Sequence, residues 1–175
     1  MVTTIRPRTP EDADACADVA RLVYERDAYP VVLPDDLRGF IVAPFAIGAW
    51  VAEDDGDVVG HVALHPSGSP EVLALASGAL GEPPGRLALV ARLFVSLRRR
   101  RRGIAAALLT TASDAARSLG RVAILDVATH FAAAISLYEA HGWSRLGMVT
   151  VDIGTPELLD EFVFAAPRVS EPGTC

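Results

Sequence analysis

The chain has 175 residues, 51% of them hydrophobic, and a net charge of −6. That length supports one sizeable core rather than two domains, and the acidity argues against general affinity for nucleic acid or an anionic membrane. All 16 basic residues are arginines, which excludes Schiff-base chemistry and any GK[ST]-type phosphate loop and, with abundant Ala, Gly, Pro and Val, suggests a G+C-rich bacterial genome.

VTTIRPRT reads as a short first strand, and the acidic residues after it leave no apolar core for a signal peptide. Thr9 predicts a helix N-cap, with Pro10 at the first helical position and Glu11 and Asp12 in the positive first turn. Ala13, Cys16, Ala17, Ala20, Val23 and Tyr24 recur at helical spacing, so Cys16 is expected as a buried structural residue. Pro30 and Pro34 break the chain, and DDLRGFIV predicts a second short helix. FIVAPFAIGAWVA is the longest apolar stretch, too short to span a bilayer and broken by Pro44 and Gly48. A soluble, cytoplasmic protein is expected.

FAIGAWVAE, the turn DDGD and VVGHVALH predict a hairpin with Asp55-Gly56 at its tip. PSGSPEVLALASGALGEPPG has many breakers and no sustained period, and reads as a loop. RLALVARLFVSL is a long strand candidate. A helix follows, its face marked by Ile104, Leu108, Thr111, Ala115 and Leu119 and its end by Gly120. RVAILDVA is the next strand, FAAAISLYEAH a helix closed by Gly142, and RLGMVTVDI and LDEFVFAA the last two strands. One domain is expected over residues 3–168, with residues 169–175 as a disordered tail. That tail carries Cys175, the only other cysteine, so neither a disulfide framework nor a thiolate metal site is indicated.

Five consecutive arginines, Arg98 to Arg102, lie between an apolar strand and a small-residue helix. A helix N-terminus presents unpaired N–H groups and partial positive charge to an anion. Gly103 lets the backbone approach a ligand, and Ala105 and Ala106 keep the first turn free of bulk. These residues suit a pyrophosphate held by backbone N–H groups; a solvated basic turn is the plainer reading of the same run.

LFVSLRRRRRGIAAALL resembles the acyl-CoA signature [QR]-x-x-G-x-[GA] of the GCN5-related N-acetyltransferase (GNAT) family, with Arg100, Gly103 and Ala105 at the fixed positions. LDVATHFAAAISLYEAHGW resembles the family's strand–helix segment ending L-Y-E-x-x-G-[FW], and the likeness in element order runs from Thr3 to about Ala166. The resemblance implies a single α/β domain with a mixed, mainly antiparallel sheet flanked by helices. CoA would lie between the splayed central strands, without a metal. It implies acetyl transfer from acetyl-CoA to a small-molecule or peptide amine, by direct attack in a ternary complex. The backbone of Leu93, Phe94 and Val95 would meet the pantetheine arm. The N–H groups of Arg101, Arg102, Gly103, Ile104, Ala105 and Ala106 would surround the pyrophosphate. Tyr138 matches the tyrosine that protonates the departing CoA thiolate; its other reading is a core aromatic. A homodimer is common in the family.

The sequence departs from the pattern at Phe131, where the family often has an asparagine that bonds the pantetheine; Thr129 and His130 are the candidate substitutes. No general base declares itself, since the family's frequent strand glutamate has no counterpart in LALVARL. Glu71, Glu82, His61 and His65 are candidates, each with a plainer reading as a surface or packing residue. Asp35, Asp36 and Glu82 would suit the rim of a pocket for a cationic amine. On a strand, His61 and His65 stand roughly 13 Å apart, too far to share a metal ion. Two other classes compete with the enzyme: a non-catalytic acyl-CoA sensor, and nucleic-acid binding through the arginine run, which conflicts with the acidity.

Overall fold

A computed structural model describes residues 3–168; the expected tail and Cys175 lie outside the described residues. Seven strands form one sheet in the order β1-β2-β3-β4-β5-β7-β6. They are β1 (Thr4–Pro7), β2 (Gly48–Asp54), β3 (Asp57–His65), β4 (Leu87–Val95), β5 (Val122–Ala128), β6 (Ser144–Val151) and β7 (Leu159–Ala165). Every neighbouring pair is antiparallel except β4 with β5. Among the described residues five α-helices flank the sheet: α1 (Ala13–Asp27), α2 (Leu37–Val42), α3 (Pro70–Leu80), α4 (Ile104–Ser118) and α5 (Ala132–Ala140).

Strand alternation sorts the core between the two faces. Val62, Leu64, Ala88, Val90, Leu125 and Phe164 turn toward α4 and α5. Val51 and Phe94 turn the other way, under Cys16, Ala20 and Val23 of α1 and Ile41 of α2. Leu87, Ile124 and Val163 lie on that same second face, covered by Val72 and Ala76 of α3. Cys16 is buried, as its place on the apolar stripe of α1 requires.

The segment expected as a loop, PSGSPEVLALASGALGEPPG, contains α3. Ser69 caps it by accepting from the Val72 N–H at 3.3 Å, Pro70 takes the first turn, and Gly81 closes it at φ +67°. Its serine, proline and glycine are the start and stop signals of a helix rather than breakers, and the exposed Gly78 is tolerated within it.

The face of α4 also differs from the expected stripe. Ile104, Leu108, Leu109, Ala112, Ser113 and Ala116 are buried, whereas Leu119 is exposed. Thr111 and Ala115 lie at the edge of that stripe and are half-buried, Ala115 still packing against the core, whereas Leu119 falls past the last residue of α4, at its C-cap, and turns to solvent. Ser113 enters the core at little cost because its hydroxyl donates to the Leu109 carbonyl at 2.8 Å.

The two central strands pair only from Leu87 opposite Val122 to Leu89 opposite Ile124. Beyond that they part. On its other edge β4 carries a bulge, because His61 faces Phe94 while Ala63 already faces Ala91, and Arg92 in the bulge stands at φ +55°.

Candidate active site

A cleft of about 1230 Å³ opens where β4 and β5 part. A single drug-sized ligand usually fills ~300–1,000 Å³, so this volume accommodates a long cofactor arm and a second molecule. Leu93, Phe94 and Val95 line one wall, and Gly103, Ile104, Ala105 and Ala106 line the mouth at the start of α4. A second hollow of about 120 Å³ beside Trp143 is far too small for such a ligand.

The chain enters α4 through Arg101 at φ +60° and Gly103 at φ +76°. Two left-handed residues thus flank Arg102 just before the first turn of α4, whose unpaired N–H groups and partial positive charge suit an anion. A Cβ on Gly103 would meet no atom of the described residues, its two chain neighbours aside, within 4 Å. The protein itself therefore leaves that space open, and the residues present fit a phosphate group approaching the backbone there.

The arginine run is not uniformly solvated. The Arg99 Nε lies 2.9 Å from Oδ2 of Asp54, whose side chain is only 1% exposed. The N–H direction is off the oxygen, so the contact is a charge pair rather than an aligned hydrogen bond. Arg100 pairs with Asp27 at the end of α1. Arg99, Arg100 and Arg101 line the cleft; Arg98 and Arg102 are exposed and do not.

Tyr138 of α5 also lines the cleft. Its ring packs 6.2 Å from Trp143 and 5.8 Å from Phe164, while its hydroxyl forms no hydrogen bond with any described residue. Burial is the main influence on this phenol and pushes its pKa upward, so it holds its proton at neutral pH.

The sequence profile of the Acetyltransferase (GNAT) family matches residues 14–143. The chain belongs to the GNAT family. It is 34% identical over 128 residues to rat N-acetyltransferase family 8 member 2, covering 70% of this chain and 51% of that protein. It is 37% identical over 110 residues to mouse N-acetyltransferase 8, covering 62% and 43%. The chain thus spans about half the length of these relatives, and both are mammalian, so they lend nothing to the bacterial origin that composition suggests. Among solved structures, Arabidopsis thaliana NAA60 in complex with acetyl-CoA superposes with a TM-score of 0.72 at 22% identity, covering 94% of this chain and 97% of that one. An N-acetyltransferase from Staphylococcus aureus Mu50 gives 0.70 at 19% identity, covering 94% and 98%. These likenesses establish the GNAT fold.

Two carboxyl groups in this GNAT cleft escaped the reading of the sequence. Asp126 of β5 and Glu161 of β7 line it together. Ala128 faces Glu161 across the strands, so Asp126 is its diagonal neighbour on the same face, within hydrogen-bond reach. Burial, then the charge of Asp126, pushes Glu161 up to about 8. Burial likewise raises Asp126. Two carboxyl groups this close hold one proton between them and titrate as a unit. The available signal was a lone aspartate inside the apolar run RVAILDVA.

The other candidate bases are placed differently. His61 is fully buried under α1, with Nδ1 3.0 Å from the Arg92 carbonyl and its ring stacked 5.3 Å from Phe94; burial lowers it to about 4. His65 reaches the cleft but touches the Arg92 guanidinium, and burial together with that charge lowers it to about 4. Glu71, Glu82, Asp35 and Asp36 lie outside the cleft, and Asp36 caps α2 by accepting from the Gly39 N–H at 2.8 Å. At the family's asparagine position, Phe131 packs edge-on to Tyr29 with ring centroids 5.8 Å apart. His130 remains beside the cleft as a polar substitute; Thr129 does not line it.

Proposed function

We propose that this GNAT domain transfers an acetyl group from acetyl-CoA to an amine by direct attack in a ternary complex. The observation that carries the reading is one cleft lined both by the left-handed turn into α4 and by a buried phenol and two carboxyl groups. The N–H groups from Arg101 to Ala106 hold the pyrophosphate, and the unpaired edge of β4 from Leu93 to Val95 receives the pantetheine arm as an added strand. Burial of these contacts fixes the thioester beside the second molecule, which is where proximity accelerates the reaction.

The acceptor arrives as an ammonium ion, which cannot attack. The Asp126–Glu161 pair accepts one proton from it, the freed lone pair forms the C–N bond, and the C–S bond breaks. Tyr138 donates its hydroxyl proton to the departing thiolate sulfur, and the second proton shed by the newly acylated nitrogen restores the phenol. Glu161 already holds the pair's first proton at neutral pH, and the remaining charge on Asp126, raised by burial, is a better proton acceptor than an ordinary carboxylate of about 4. The setting we propose is the cytoplasm of a bacterium, where acetyl-CoA is at hand.

Saturating acetyl-CoA is expected to raise the melting temperature, since a ligand at a hundred times its dissociation constant adds about 2.7 kcal/mol to stability. Thiol release with an added amine should then follow. A melting curve unmoved by acetyl-CoA would overturn the proposal, and tight binding without thiol release for any amine would turn it into a sensor.

A further inference from the structure

Arg92 has no role in the mechanism above, yet the fold goes to some lengths to place it. It occupies the bulge of β4 at φ +55°, a left-handed conformation that a side chain enters only against steric cost and that glycine usually fills in bulges. Residues held so are a mark of functional constraint. The side chain lines the cleft, with its guanidinium carbon 4.4 Å from the centroid of the Phe40 ring and one nitrogen on His65. None of the ion pairs among the described residues includes it. Its Nε is buried with no hydrogen-bond partner among the described residues. Arg8 lies near enough to add like charge rather than relieve it. A guanidinium presents a planar fork of donors that matches a carboxylate, and a buried one without an anion is costly.

The opposite charge is also present in the cleft, on the same side of the sheet. Arg92 packs under α2 against Phe40, and Asp126 shares the face of Ile124, which is covered from that side. Asp126 sits two residues past the last β4–β5 pair and Arg92 three past it, one on each lip of the gap. Val31, Val32, Phe40 and Leu159 supply apolar wall nearby.

We infer that the acceptor is a free amino acid with an apolar side chain, its carboxylate held by Arg92 and its ammonium group delivered to the Asp126–Glu161 pair. This rests on the acetyltransferase reading and narrows it: a polyamine lacks the anion, and a peptide N-terminus carries an uncharged amide in its place. Arg92 is a specificity residue that touches the substrate away from the reacting atoms.

The test uses the intact protein with leucine, leucinamide and isopentylamine. Leucinamide is the stricter control, because its amine is less basic than that of leucine and is more readily deprotonated. Thiol release from acetyl-CoA should show kcat/KM for leucine about 10- to 100-fold above that for the other two, the discrimination expected of a hydrogen-bonded charge. Arg92→Gln should erase that preference by raising KM for leucine, with kcat nearly kept and the acetyl-CoA-induced shift in melting temperature unchanged. A binding arm needs no catalysis: with CoA present, millimolar leucine should raise the melting temperature of the wild type, leucinamide should not, and Arg92→Gln should abolish the effect. Equal use of all three acceptors by the wild type overturns the inference and leaves the transferase reading standing. A leucine-specific thermal shift without thiol release sinks the transferase reading and keeps the anion site. If the variant fails to fold, the wild-type comparison among the three acceptors still decides.

Discussion

Replacing Arg99 with alanine should lower the melting temperature by several degrees, whereas replacing its neighbour Arg98 should not. Arg99 faces Asp54, whose side chain is 1% exposed at the tip of the β2–β3 hairpin. Removing one member of a buried pair strands the other, at a cost of about 3–5 kcal/mol. Arg99 is itself 25% exposed and its Nε is not aimed squarely at the carboxylate. Water reaches the pair, so the lower end, about 3 kcal/mol, applies. For a chain of this length each kcal/mol moves the midpoint by ~2–4 °C, which gives a drop of about 6–12 °C. Arg98 is exposed and unpaired among the described residues, and surface changes of that kind stay within about 0.5 kcal/mol. Thermal melts of Arg98→Ala, Arg99→Ala and the double variant Arg99→Ala with Asp54→Asn measure all of this. The double variant should recover most of the loss, because a neutral amide no longer strands a charge. A drop below about 2 °C for Arg99→Ala, or equal drops for the two arginines, would refute the reasoning.

Three further outcomes are expected. Tyr138→Phe keeps the ring contacts with Trp143 and Phe164 and strands no partner, so its melting temperature and acetyl-CoA affinity should hold while kcat falls by about 10²–10⁴-fold; unchanged kcat makes Tyr138 a core aromatic. Gly103→Val should cost about 1–2 kcal/mol for forcing a side chain to φ +76° and should also nearly abolish acetyl-CoA binding by calorimetry, because its methyl groups enter the open space at the cradle; normal affinity in a folded variant would place the phosphate elsewhere. Glu161→Gln should change the pH dependence of stability. The native state keeps a proton on Glu161 that the unfolded chain releases near 4.5, so wild-type stability contains a component fully present below about 4.5 and lost as pH rises through about 8. Denaturant melts should therefore show the variant gaining on the wild type between those pH values, and parallel curves would show that the carboxyl pair is not strained.

The elements of the proposed cofactor site were legible because their signals are local. The strand, the arginine run, Gly103 and the small residues of α4 follow one another in the chain, and backbone N–H groups bind phosphate whatever side chains surround them. The same holds for the hairpin, since Asp54 pairs with Asp57 across a two-residue turn. The helix α3 was locally legible too, and was misread because serine, proline and glycine at its ends were weighed as breakers rather than as caps. The state of the arginines was not legible. Nothing near Arg99 or Arg100 in the sequence points to Asp54 or Asp27, which reach them only after the sheet has formed.

The acceptor side depends on such distant meetings throughout, and this shapes what a variant there can reveal. Asp126 becomes half of a proton-sharing pair only because β7 inserts between β5 and β6 and sets Glu161 on its diagonal. Arg92 becomes a cleft residue only because β4 bulges against β3 and the parallel pairing with β5 stops at Leu89. In an unbroken β4 neither the gap nor the left-handed turn would exist, and Arg92 would take an ordinary place in the strand. On the proposed reading the bulge serves two ends at once: it frees the β4 edge offered to the cofactor arm, and it turns a cation toward the proposed acceptor. Deleting one residue of the bulge should therefore abolish acetyl-CoA binding together with acceptor selectivity. Arg92→Gln leaves the backbone in place and should separate the two.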